Sequence, residues 1–246
     1  MDVLYFLKER TRLIRQYYEQ AAKPFSETIR KIEAEEEPFV PPYSEDPEPA
    51  FFAEWVEANE LLEVTGRSCV SMLSASLQLY LNAWDRILGL QCKAQFKAAF
   101  KGDGLIGGYR QCLAARLVLD WKECPADLAI IEQVVLARNR DQHPDSITTL
   151  RVTHADHDRA RHPRPFFLND KEAELYDNGD GAGLWMSPSL HVPREKLMEA
   201  ISNVESLCEW LEEKMFDAKY PARHDSALPI SDSAQDLRTT TGNAST

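Results

Sequence analysis

The stretch SCVSMLSASLQLYLNAWDRILG, residues 68–89, decides the fold class: it is free of proline, helical in its spacing and apolar on more than one side. A helix at a bundle surface shows one apolar stripe. One with a broad apolar girth is buried in the middle of a bundle or shared with a second subunit. The stretch closes a helical region that begins near Phe51, with a break expected at Gly66. This reading predicts an all-α helical bundle.

Upstream, residues 2–34 place Leu4, Leu7, Leu13, Ile14, Tyr17 and Tyr18 near one helical stripe, with Asp2 as N-cap and Pro24 expected to kink or split the helix. EEEPFVPPYSEDPEP, residues 35–49, then brings five prolines among acids and reads as an extended, solvated linker. Downstream, KGDGLIGGY (101–109) lacks the spacing of a phosphate-binding loop and reads as a glycine-rich helix connection. Two helices are predicted next, over YRQCLAARLVLDW (109–121) and PADLAIIEQVVLARNRDQH (125–143), the second ending before Pro144.

Between Pro144 and Pro193 charged residues surround PFFL (165–168) and GLWMSPSLHV (183–192), which predict a long ordered loop or a small β-hairpin. The last helix, in PREKLMEAISNVESLCEWLEEKMF (193–216), sets Leu197, Ile201, Val204, Leu207, Cys208 and Leu211 on one face. Residues beyond Ala218 are small and polar, and disorder is expected there. The chain thus divides into an N-terminal helix (1–36), an acidic linker (37–50), a helical domain (51–217) and a tail (218–246).

No stretch approaches the roughly 18 apolar residues of a membrane span, and charges enter the N-terminal segment from its start, so a cytoplasmic protein with no membrane partner is expected. The five cysteines, Cys69, Cys92, Cys112, Cys124 and Cys208, contain no CxxC pair and read as reduced thiols. The net charge of −12 would count against a nucleic-acid partner, yet seven acids between Glu33 and Glu48 carry −7 of it. From Arg138 to Arg164, six arginines face four aspartates, with four histidines interspersed. The basicity is as local as the acidity.

That basic stretch opens on LARNRDQHPDSI, residues 136–147. On a helix Asn139 and His143 share a face, and Arg138, about 140° away from His143, can swing toward them on its flexible stem. A histidine at a helix C-terminus feels the negative end of the dipole, and arginine offers a forked donor array matched to phosphate. Histidine can exchange a proton with a ribose 2′-hydroxyl or a leaving oxygen, while arginine stabilises charge on the phosphate. RNA carries its own nucleophile, so such a site needs no metal and no cofactor. The dipole alone also favours charged residues at a helix end, and a charged rim is the competing explanation.

Arg138-Asn139-x-x-x-His143, at the end of an apolar helix of an all-α chain, resembles the signature of the HEPN superfamily (higher eukaryotes and prokaryotes nucleotide-binding domain). The resemblance spans residues 51–216. It implies a helical bundle that dimerises to form a composite cleft, and a metal-independent endoribonuclease of toxin–antitoxin or phage-defence type acting on RNA, with an antitoxin or regulatory protein as a further partner. Arg138 and His143 would be its catalytic pair and Asn139 their support. Some members of the superfamily only bind, so the alternative is a non-catalytic interaction module or a nucleotide- or phosphate-binding one.

Arg140, Arg151, Arg159 and Arg161 are candidates for holding the RNA backbone, on a solvated basic loop. His154, His157 and His162 with Asp156 and Asp158 offer a metal-ligand alternative, disfavoured by the arginines around them. Trp185 is the candidate for base stacking, and the other tryptophans fit core positions.

Overall fold

Helix α2, Phe52–Leu88, carries the opening stretch, and its buried face of Cys69, Val70, Leu73, Leu77, Tyr80, Leu81 and Trp84 forms the centre of the core. The structure, a computed structural model, describes residues 2–43, 45, 47–143, 148, 151–179 and 187–220. Around α2 pack α1 (Val3–Glu33), α6 (Leu128–Gln142) and α9 (Arg194–Lys219). The remaining helices are short: α3 (Cys92–Gln95), α4 (Lys97–Gly102), α5 (Gly104–Arg116), α7 (Asp156–Arg161) and α8 (Asp170–Asp177). The chain is an all-α bundle, and among the described residues no strand forms.

Capping and helical periodicity place the long helices, most fully α9. Asp2 caps α1, its carboxylate accepting the Tyr5 amide at 2.9 Å. On α9 all six predicted positions are buried, joined by Ala200 and Met215. Residues four and seven apart lie on one side of a helix, so this face fits α2 without a polar interruption. Polar anchors fix the contact: the Tyr80 hydroxyl sits 2.8 Å from both the Cys208 carbonyl and Glu212 Oε2, and the Trp84 indole N–H donates to the same carboxylate oxygen at 2.7 Å. The Arg15 guanidinium forks onto Glu205 at 2.7 and 2.8 Å, tying α1 to α9.

Several local expectations are corrected. Helix α1 runs through Pro24 without splitting, and it buries Val3, Leu7, Thr11, Ile14, Tyr18 and Ala22 while Leu13 and Tyr17 face outward. Helix α2 runs through Gly66, where a Cβ would lie 2.6 Å from the Val192 carbonyl oxygen. The glycine there admits a neighbouring backbone; it does not break the helix. KGDGLIGGY is mostly helical, with only Asp103 between α4 and α5, and Gly108 lets the Phe100 ring come within 2.5 Å of its missing Cβ. Helix α5 starts five residues earlier than Tyr109 and stops at Arg116, leaving one 3-10 turn at Trp121–Glu123.

Of the long loop and the small hairpin expected before α9, the described residues form the loop and no strand. PFFL is an irregular segment with Phe166, Phe167 and Leu168 buried, and a single antiparallel bridge joins Thr153 to Ser189. Residues 183–186, with Trp185, and the tail from 221 lie outside the described residues. Cys92 and Cys112 form a disulfide across α3 and α5, correcting the expectation of reduced thiols, while Cys69, Cys124 and Cys208 stay free. Among the described residues no helix is long and apolar enough to cross a membrane.

Candidate functional site

The motif occupies the last turn of α6 and its cap. Asp127 starts the helix, its carboxylate accepting the Ala129 and Ile130 amides, and the buried residues Ile130, Ile131, Val134 and Ala137 hold it on α2 and α9. That leaves the last turn polar. His143 is the C-cap: its backbone leaves the helical region at φ −129°, ψ 65°, while its amide still donates to the Asn139 carbonyl at 3.0 Å. Asn139 and His143 are exposed and Arg138 is half-buried.

The Arg138 guanidinium donates to Asn139 Oδ1 at 3.1 Å. Among the described residues no hydrogen bond links the His143 imidazole to either. One chain therefore pairs Arg138 with Asn139 and leaves His143 on the same helix end, facing solvent. Pro144, taken as the stop signal, lies outside the described residues.

Sequence reasoning missed the groups that brace this turn. Asp141, inside the motif, accepts Arg67 Nε at 3.3 Å and the Ser71 hydroxyl at 3.0 Å. Arg67 is only 7% exposed, and its guanidinium also meets Glu63 at 3.3 Å. Glu63 in turn faces His191 Nδ1 at 3.5 Å, and this contact, ahead of Arg67, holds its carboxyl below the usual range. Two carboxylates thus balance one buried guanidinium, the arrangement a desolvated charge requires.

Of the four candidate RNA-binding arginines, Arg140 and Arg159 share one cavity, while Arg151 and Arg161 line two other clefts. Arg140 donates to the Thr153 carbonyl at 3.0 Å and Arg159 to Asp156 at 2.8 Å, Arg161 pairs with Glu132, and Arg151 donates to Glu172 at 3.0 Å. Arg140 and Arg159 line a small cavity with His154, Asp158 and His162 and with apolar Leu136, Ala137 and Pro165, about 10 Å³ in volume, room for about one water. Asp158 Oδ1, Arg159 Nε and His162 Nε2 make no hydrogen bond there, although His157 and Glu132 stand within ion-pair reach of the first and last. Arg161 edges a cleft of about 550 Å³ with Arg110, Trp121 and Glu132.

The segment around His154 is a packed element rather than a solvated loop. His154 Nε2 lies 2.8 Å from the Phe167 carbonyl, and burial pushes its pKa down. His157 points to solvent, its side chain 80% exposed. Among the described residues no three His, Cys, Asp or Glu side chains converge as metal ligands.

An apolar stripe flanks the motif. Leu61, Val64, Met72 and Leu79 are exposed along one side of α2, and Phe6, Leu13 and Tyr17 along one side of α1. Phe6 and Leu79 meet in one shallow groove. By helical geometry Ser71, which holds Asp141, borders the α2 part of the stripe.

No protein-family model matches the chain, and no curated protein and no solved structure does either.

Proposed function

We propose that the protein is a metal-independent endoribonuclease of toxin–antitoxin or phage-defence type, built on a HEPN-like bundle and working in the cytoplasm as a homodimer. The observation that carries this reading is the end of α6: a histidine cap and an asparagine exposed on one helix end, with an arginine joined to that asparagine at 3.1 Å. Arg138 holds the scissile phosphate and stabilises its transition-state charge. His143 takes the proton of the 2′-hydroxyl or returns one to the leaving 5′-oxygen. The 2′-oxygen attacks phosphorus as the bond to the 5′-oxygen breaks, leaving a 2′,3′-cyclic phosphate and a 5′-hydroxyl.

Two facts support a second copy. Among the described residues Arg138 and His143 share no hydrogen bond, and the exposed α1–α2 stripe borders Ser71, which holds Asp141. An antitoxin or regulatory protein is the further partner of such a system.

The test is RNA cleavage in EDTA by wild type, His143→Ala and Arg138→Ala. Wild type is expected to yield 2′,3′-cyclic ends, and each substitution to lower the rate at least about 100-fold, the range for a lost proton-transfer or charge-stabilising group. Cleavage that survives both substitutions overturns the assignment. Absence of cleavage by wild type favours the second reading, a non-catalytic module that binds a phosphate ligand or a partner, which the stripe also suits.

A further inference from the structure

Beside the motif lies a cleft of about 410 Å³, a size suited to a small ligand, lined by Glu60, Glu63, Val64 and Arg67 of α2 and, opposite them, by Arg151, Asn169 and Ser189. One guanidinium separates it from the motif, because Arg67 lines the cleft and holds Asp141 at 3.3 Å. Through Arg67 and Asp141 the cleft is tied to the last turn of α6, which carries the motif.

The lining has a definite hydrogen-bonding character. Glu60 is exposed at the rim and makes no hydrogen bond or ion pair among the described residues. Glu63 is committed to His191 and Arg67. On the far wall Glu172 fixes Arg151 through Oε1 at 3.0 Å and takes the Ser189 hydroxyl on Oε2 at 2.7 Å, while Asn169 donates to Ser189 at 3.2 Å. The wall is thus braced from behind, and Arg151, half exposed, presents its guanidinium to the opening. The cleft thus carries one uncommitted, exposed carboxylate and one half-exposed guanidinium.

Only one common base matches that pair. Guanine offers two adjacent donors, N1–H and the N2 amino group, to a carboxylate, and two acceptors, O6 and N7, to an arginine fork. Adenine and cytosine pair a single amino donor with a ring acceptor, and uracil sets one N–H between two carbonyls, so each leaves a carboxylate oxygen or an arginine N–H unmatched. We propose that this cleft is a guanine pocket, Glu60 reading the N1/N2 edge and Arg151 the O6/N7 edge. The inference deepens the ribonuclease reading, on which it rests, by naming the base beside the cleaved phosphate.

The test uses the full chain and mononucleotides as probes. In calorimetric titrations 3′-GMP is expected to bind at least about tenfold tighter than 3′-AMP, 3′-UMP and 3′-CMP, with 3′-IMP, which lacks the N2 amino group, intermediate. Glu60→Gln keeps shape and exposure and is expected to erase the gap between 3′-GMP and 3′-IMP. Equal binding of all four standard mononucleotides, or a guanine preference unchanged in Glu60→Gln, overturns the pocket. RNA cleavage in EDTA with no base preference would do the same while leaving the nuclease reading intact. Selective 3′-GMP binding without any cleavage would overturn the nuclease and keep the pocket.

Discussion

At the scale of single residues, what the sequence could show at the motif was set by chain proximity. Arg138, Asn139 and His143 are legible because helical geometry relates positions four and five apart. Arg67, Ser71, Glu63 and His191 are not, since they reach the motif's neighbourhood from another helix and from a segment near α9. No local pattern announces that a buried arginine on α2 will need Asp141. His154 is a second case: it reads as a surface histidine of a basic loop, but burial against Phe167 makes it a neutral core donor. Desolvation dominates over the Phe167 carbonyl, Glu172 and Asp158, which favour the charged form, and Arg159 opposes it too, so the pKa falls below the ordinary 6.5. The unfolded chain therefore takes up a proton that the folded chain refuses, and stability is lost as pH drops below about 6.5, by up to about 1.4 kcal/mol per unit. Urea unfolding at pH 7.5, 6.5 and 5.5 is expected to show this decline, with a flatter profile in His154→Gln, which retains an N–H donor. Glu63 and Glu205, both held below 4.5, enter only at more acid pH. A His154→Gln profile parallel to wild type would refute the assignment.

At the scale of elements, helices that bury one face against the core could be read directly, and the connections could not. The α9 repeat survives because burial follows the same 3.6-residue period that orders the side chains. Glycines and short apolar runs have no such period. Gly66, Gly108 and PFFL are placed by what lies across from them, so a helix breaker, a turn glycine and a strand turn out to be two close approaches inside helices and an irregular core plug. Gly66→Ala tests this. Its Cβ would fall 2.6 Å from the Val192 carbonyl oxygen and 3.0 Å from Val192 Cβ. The helical gain of alanine over glycine, about 1 kcal/mol, is then outweighed by the shift of the segment that leads into α9. A net loss of about 1–3 kcal/mol is expected, read as a melting temperature lower by roughly 2–10 °C. A helix merely tolerating its glycine would instead be stabilised by the substitution.

At the scale of the whole molecule, the breadth of the α2 apolar surface is accounted for mainly by the core, and the function proposed assigns the remainder to a second copy. Most of it is covered by α1, α6 and α9, while Leu61, Val64, Met72 and Leu79 remain outside, continued by Phe6, Leu13 and Tyr17 of α1. Isolated exposed apolar residues are ordinary; their alignment on one side of two neighbouring helices is what the proposed dimer would use. The disulfide between Cys92 and Cys112 lies in the α3–α5 corner and touches neither the stripe nor the motif. Such a bridge is at home in an oxidising compartment, so a cytoplasmic setting would keep that pair reduced. The stripe is decisive for the function proposed, because a composite site needs two copies close to each other. Met72→Asp with Leu79→Asp places two charges on surface positions 41% and 49% exposed, where the monomer fold has no need of the apolar side chains. Light scattering is expected to show a dimer for wild type and a monomer for the double variant, with the helical circular dichroism unchanged. RNA cleavage in EDTA is expected to fall together with the dimer and to return at high protein concentration if some association survives. A monomeric double variant that cleaves at the wild-type rate would place the entire active site in one chain and overturn the composite cleft.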